Sequence, residues 1–286
     1  AISGLEMFSW RGSDNLWIPL GAALFLTAAS HEPIESSWVW LAMGCFVALG
    51  FLIRSKKWLD ASGIAAAGML TLWIALLFPV AYLLMPLLFL ALGSISSKLT
   101  SGAEKDGEQG GRNAVQVLAN GSWIFLAGGW AALEDGGQGA QLFILVFSIA
   151  LSDTLSSEWG RYIGGSTYDI LKGKKVPPGL SGGISVGGTL VGLLAAAFLP
   201  LISLLVFDLS LVPAIGISIA AFAGMLMDSV LGSAVQSKYL SASGKWEDGY
   251  KEQKPVIGWR WVDNHTVNFL SIGLTMLLYI GFQMLG

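Results

Sequence analysis

Long apolar runs separated by shorter polar stretches set the pattern of this chain. A helix needs roughly 17 to 25 residues to cross a hydrocarbon core about 30 Å thick. Nine runs reach or approach that length, at 16–30, 38–53, 59–78, 80–97, 115–133, 139–157, 183–206, 211–235 and 266–285. None shows the strict alternation of a barrel strand, and backbone groups in lipid must be bonded within their own segment, so the runs predict helices. The expected fold is all-α, a polytopic transmembrane helical bundle of about nine spans. It reads as one membrane-embedded domain over 1–286. Residues 1–15 form a short lead without a signal-cleavage pattern, 16–58 hold two short N-terminal spans, and 59–286 form the bundle that carries the chemistry.

Composition strengthens this reading. Hydrophobic residues make up 54% and charged residues 12% of the chain, with a mean hydropathy of +0.66, which excludes an ordinary soluble domain. Sixteen Lys and Arg against 19 Asp and Glu leave a formal charge of −3, so a nucleic-acid partner is not expected. The single cysteine, Cys45, lies in an apolar run and excludes an internal disulfide or a cysteine zinc site.

Charge then orients the bundle. With the N-terminus in the cytoplasm, all sixteen cations fall in inside segments, and the outer loops are short and acidic or neutral. The three long polar loops, 97–114, 158–182 and 236–265, share that inner side. A water-soluble ligand is therefore expected at the cytoplasmic face.

Ionisable groups in or at the end of a span are costly unless paired or hydrated, so each marks candidate chemistry. The sixth run ends with Asp153, Ser156, Ser157 and Glu158, and the eighth with Asp228, Gly232 and Gln236. The fifth opens with Arg112, Asn113, Gln116 and Asn120, and the ninth with Asp263, Asn264, Asn268 and Ser271. A lone Asn, Gln or Ser also serves as an interhelical hydrogen-bonding residue. Four carboxylates are different, because they repel one another unless a cation lies among them. Asp153, Glu158, Asp228 and Asp263 are thus the expected metal ligands. An all-oxygen set favours Mg²⁺, which is commonly held by one or two carboxylates together with substrate phosphates.

A basic, glycine-rich loop supplies the counterpart. Lys172, Lys174 and Lys175 precede Ser181, Gly182 and Gly183 at the entrance to a helix, where N–H groups can face an anion. The same lysines also fit the inside-positive bias or lipid headgroups. No Walker A spacing occurs.

Six motifs recur in order: Leu-Asp-Ala-Ser-Gly at 59–63, Gly-Arg-Asn-Ala-Val-Gln-Val-Leu-Ala-Asn-Gly at 111–121, Ser-Asp-Thr-Leu-Ser-Ser-Glu at 152–158, Val-Pro-Pro-Gly-Leu-Ser-Gly-Gly-Ile-Ser at 176–185, Met-Asp-Ser-Val-Leu-Gly-Ser-Ala-Val-Gln at 227–236, and Asp-Asn-His-Thr-Val-Asn-Phe-Leu-Ser at 263–271. Over roughly residues 40 to 286 these resemble the membrane family that contains the phytyl-phosphate kinase of tocopherol synthesis and transmembrane protein nineteen. That family is distantly similar to CTP-dependent lipid kinases and cytidylyltransferases. In those enzymes a membrane-end Asp, a Gly-Arg and a Lys-Pro turn organise metal and nucleotide. Asp153, Gly160, Arg161, Lys175 and Pro177 stand in a comparable order here, and Asp228 resembles the second metal-site aspartate. The Lys-Pro turn departs from the pattern, reading Lys175-Val176-Pro177-Pro178.

The resemblance implies an enzyme that transfers a phosphoryl group from CTP or another NTP to a membrane-borne prenyl monophosphate. Asp153, Asp228, Arg161 and Lys175 would be its catalytic groups. Arg112, Asn113, Gln116, Asn120, Ser157, Lys172, Lys174, Ser181, Gly182, Gly183, Gln236, Asn264 and Asn268 would bind substrate and nucleotide. The same groups would serve a cytidylyltransferase, and a polar cavity among spans also suits a lipid or small-molecule transporter.

Overall fold

The computed structural model describes residues 36–100, 111–133, 137–241, 244, 246–248 and 254–285. The 1–15 lead and the run at 16–30 lie outside them. Nine α-helices occupy the described residues: α1 Ser36–Ser55, α2 Ala61–Leu77, α3 Leu84–Thr100, α4 Ala114–Gly121, α5 Ile124–Leu133, α6 Gln138–Ile163, α7 Val186–Val206, α8 Leu211–Ala234 and α9 Asn264–Leu285. Among the described residues, five helical stretches are long and apolar enough to span a bilayer: Val80–Thr100, which includes a 3₁₀ turn ahead of α3, together with α6, α7, α8 and α9. The chain clusters into two compact units, one drawn from Ala1–Leu87 and Asp106–Phe143, the other from Leu88–Lys105 and Ile144–Gly286.

In the first unit the helix starts follow from local capping. Asp60 accepts from the Gly63 amide at 2.8 Å and opens α2. Asn113 and Gln116 exchange hydrogen bonds of 3.0 Å in a capping box that opens α4. The two starts are stitched together. The Ser62 hydroxyl donates to Asp60 at 2.7 Å and accepts from the Ala114 amide at 3.1 Å, while the Asp60 amide donates to the Arg112 carbonyl. Gly63 permits this approach, since a Cβ there would lie 2.2 Å from the Arg112 oxygen. The expected single span at 115–133 is instead α4 and α5, which meet at a turn over Ser122 and Trp123. Asn120, Gly121 and Ser122 are weak helix formers, and apolarity alone does not carry the helix across them.

In the second unit, the middle of α6 is buried on every side. Each residue from Ile144 to Ser152 is at most 2% exposed, as expected of a helix that is apolar all round. Glycines set the close contacts. A Cβ on Gly188 would lie 2.8 Å from the Ser156 oxygen of α6, and one on Gly192 would meet Met225 of α8. Ser152 donates to the Gly192 carbonyl at 2.8 Å across the α6–α7 contact. Small residues allowing helix backbones to approach is the usual packing mode in lipid. Exposed leucines and isoleucines, among them Leu194, Leu205, Ile215 and Ile219, line the outward faces of α7 and α8.

The all-α expectation holds for the membrane helices and not for the loops. After α6 the chain forms a three-stranded antiparallel sheet of β1 Thr167–Asp169, β2 Lys175–Val176 and β3 Gly183–Ile184, in the order β2-β1-β3. After α8, β4 Lys238–Leu240 pairs with β5 Trp246–Asp248. Strands of two or three residues are too short to show an alternating pattern.

Candidate active site

The second unit brings carboxylates from two spans together. Asp153 projects from α6 and Asp228 from α8, within electrostatic reach of each other, and Asp153 is also within reach of Glu158. The Ser271 hydroxyl of α9 donates to Asp228 Oδ2 at 3.2 Å and also lies 3.0 Å from the Asn268 carbonyl. Asn268, on the turn of α9 before Ser271, is 9% exposed. Ser97 of α3 donates to one oxygen of Glu158, while the other, Oε2, is buried without a hydrogen-bond partner.

The expected quartet of metal ligands is thereby reduced. Asp263 caps α9, accepting from the Thr266 amide at 2.8 Å and the Thr266 hydroxyl at 2.9 Å. Among the described residues no group of three or more His, Cys, Asp and Glu stands ready to hold a metal ion. What remains is the Asp153–Asp228 pair with Glu158 beside it. Two mutually repelling carboxylates fit a hard divalent cation whose other ligands come from a substrate or water.

The other expected binding residues fall into several settings. Asn113 and Gln116 are the capping box of α4 and Asn120 donates to the Gln116 carbonyl at 2.9 Å, all in the first unit with Arg112. Asn264 is the first residue of α9. The Ser157 carbonyl accepts from Arg161 Nε at 3.2 Å. Arg161 is exposed, and its aliphatic stem lies where a side chain on Gly179 would be, 2.7 Å from the position of a Cβ there. Lys172, Lys174 and Lys175 are exposed around a tight turn closed by the Asp169 amide donating to the Lys174 carbonyl at 2.9 Å.

The glycine-rich turn differs from the expected anion cradle. The Ser181 amide donates to Asp248 at 2.7 Å and the Gly183 amide to the Leu180 carbonyl at 3.0 Å, so two of its N–H groups are used within the protein. Its glycines serve close packing on α8. Gly182 has φ +80°, and a Cβ there would lie 2.5 Å from the Ser233 backbone, while one on Gly232 would lie 2.3 Å from the Ser181 hydroxyl. Ser181 also donates to the Gln236 side chain at 2.5 Å.

Beneath this turn lies a polar cluster that sequence reasoning did not single out. Asp169 accepts from the Ser233 hydroxyl at 2.7 Å and from the Leu171 and Lys172 amides. Lys238 is 1% exposed, with Asp248 and Asp169 as the negative groups that act on it. Burial pushes the Asp169 carboxyl up, but its three donors outweigh that and hold it below the usual carboxylate range. Burial raises the Asp248 carboxyl despite the Ser181 amide and Lys238, and burial lowers the Lys238 ammonium despite both aspartates. In the sequence, Lys238 reads only as one more inside cation.

The model of an integral membrane protein family, DUF92, matches residues 44–276. The chain belongs to this integral membrane family. The match covers all six ordered motifs and agrees with the membrane-family resemblance they carry. This DUF92 chain is 28% identical over 238 residues to Protein VTE6, chloroplastic, of Arabidopsis thaliana, covering 79% of this chain and 65% of that protein. It is 30% identical over 141 residues to an uncharacterized membrane protein of Synechocystis sp., covering 49% and 47% of the two chains. An uncharacterized membrane protein of Methanocaldococcus jannaschii is 30% identical over 194 residues, covering 66% of this chain and 80% of the relative. The chain thus spans less than two thirds of the length of the first two relatives. No solved structure matches it.

Proposed function

We propose that this DUF92 protein is a membrane-embedded, Mg²⁺-dependent phosphotransferase that moves the γ-phosphoryl group of CTP, or of another NTP, onto a prenyl monophosphate. The bond between the γ-phosphorus and the β–γ bridging oxygen breaks, a new bond forms to a lipid phosphate oxygen, and CDP leaves as the prenyl diphosphate is made. The observation that carries this reading is the juxtaposition of Asp153 and Asp228 from separate membrane helices. The prenyl substrate, CTP and the kinase chemistry come from the motif resemblance. Catalysis of this kind needs mostly positioning and charge neutralisation.

Asp153 and Asp228 would hold the cation, which when bound offsets charge on the transferring phosphoryl group. Ser271 orients Asp228 through its hydroxyl. Arg161, Lys172, Lys174 and Lys175, exposed at the end of α6 and in the loop that follows, supply the positive charge that binds phosphates. The acceptor is already an ionised phosphate, so no general base is needed. In this reading about nine spans place the site at the cytoplasmic side, or the stromal side of a plastid membrane, where the cations gather.

The test uses the full chain in lipid with Mg²⁺ and a panel of prenyl monophosphates. Label from γ-labelled CTP should enter the lipid, and label from α-labelled CTP should not. The opposite pattern would make the protein a cytidylyltransferase.

A further inference from the structure

The segment joining the β5 region to α9 presents an aromatic surface that the proposed chemistry does not use. The Trp259 and Trp261 rings stack with centroids 5.7 Å apart and planes 23° from parallel, and they are 57% and 59% exposed. Val256, on the same segment, is 61% exposed. From Lys254 to Val262 there are two cations, Lys254 and Arg260, and no acidic residue.

The segment is fastened firmly. The Trp259 amide donates to the Val235 carbonyl at 3.0 Å, the Lys238 amide to the Ile257 carbonyl at 2.9 Å and the Ser237 amide to the Val262 carbonyl at 2.9 Å. Gly258, at φ +80°, lets the chain pass so close that a Cβ there would lie 2.1 Å from the Gln236 oxygen. Two large exposed rings on a backbone held this tightly form a fixed feature of the surface.

Depth along α9 says what meets that feature. The helix has 22 residues, about 33 Å at 1.5 Å per residue, against a hydrocarbon core of about 30 Å. Its exposed Leu274, Leu277, Leu278 and Phe282 suit lipid tails. Trp261 stands three residues before the first helical residue, Asn264, and so falls just outside the hydrocarbon, at the level where tryptophan is favoured. Adjacent cations without acids match phosphate headgroups.

We propose that Lys254–Trp261 is a bilayer-surface anchor, in which Trp259 and Trp261 seat in the headgroup layer of a membrane carrying anionic phospholipid and Lys254 and Arg260 meet lipid phosphates. Because the segment is bonded to Val235, Ser237 and Lys238 and presses on Gln236, which accepts from Ser181, the anchor also fixes the depth of the Ser181–Gln236 junction. This inference does not depend on the kinase reading.

The test places a spin label on the full chain in vesicles of phosphatidylcholine and phosphatidylglycerol. Cys45, which is exposed, is first replaced in C45A, and the label is attached through W259C or, for a mid-bilayer reference, L274C. Collision with oxygen against a water-soluble nickel complex should place position 259 between position 274 and a free nitroxide in buffer. A value equal to the buffer value would overturn the anchor. So would a buffer-like value that changes only on adding CTP, which would assign the rings to a nucleotide. The second measurement avoids the label: W259F/W261F should lose part of the tryptophan fluorescence quenched by lipids brominated near the headgroup. An unchanged quenchable fraction would also overturn the proposal.

Discussion

The Ser181 amide donates to Asp248 Oδ2 at 2.7 Å, joining two loops that lie 67 residues apart in the chain. That bond and the Ser181–Gln236 contact make one body of the glycine-rich turn and the segment after α8. Asp248→Ala removes the acceptor and leaves a half-buried amide unsatisfied, with Lys238 short of one of its two aspartates. The variant should be less stable by on the order of 2 kcal/mol. Its KM for the phosphate donor should rise more than its kcat falls, because the loop that carries Lys172, Lys174 and Lys175 loosens while the Asp153–Asp228 pair stays in place. Steady-state kinetics together with a melting curve in lipid checks both parts.

Gly182 and Gly232 face each other's segments at distances that exclude a side chain. Gly182→Ala meets backbone and must also hold a positive φ, whereas the same substitution at Gly244, which has positive φ and open space, carries only the conformational cost. Gly182→Ala should therefore destabilise by several kcal/mol and Gly244→Ala by about 1 kcal/mol. Equal losses in chemical denaturation would show that the turn does not pack on α8 as described.

Asp169 gives the loops a definite acid response. Its folded carboxyl lies below the ordinary value, so its contribution is present above the unfolded pKa, near 4, and is lost as pH falls through the lower folded value. Asp248 shifts the other way, so its protonation favours the folded state as pH falls. Asp169→Asn should be less stable than the parent at neutral pH, and the gap should close as pH falls below the ordinary carboxylate range and through the lower folded value. Stability measured across that range in both proteins checks the sign.

Ser271 has one proton and two acceptors in reach, Asp228 Oδ2 and the Asn268 carbonyl. Ser271→Ala leaves the carboxylate in place but removes one donor to it. The expected result is a loss of about 10-fold in turnover, with Mg²⁺ dependence retained. Turnover titrated with Mg²⁺ distinguishes this positioning role from metal ligation, which would remove the dependence.

The candidate carboxylates were readable because membrane helices make ionisable groups conspicuous. Asp153 and Asp228 stand out against apolar runs, and their pairing follows from two spans ending on one side. Asn113-Ala-Val-Gln116 carried a capping-box signature, and Asp263-Asn-His-Thr266 a cap pattern, so their structural roles were also written locally. The Asp169–Lys238–Asp248 cluster was not legible, because its members lie in three loop strands brought together only by tertiary structure. The break at Ser122 was hidden by unbroken apolarity on either side.

In the proposed reaction Asp153 and Asp228 together hold a divalent cation that phosphoryl transfer requires. Transfer of label from γ-labelled CTP to prenyl monophosphate, measured for the full chain and for Asp153→Asn and Asp228→Asn with and without Mg²⁺, tests it most directly. Mg²⁺-dependent transfer by the parent is expected, with a loss of at least about 100-fold in each variant and both variants folded and at least as stable as the parent without cation, since each relieves the repulsion between the two carboxylates. Parent-like transfer by either variant would contradict it.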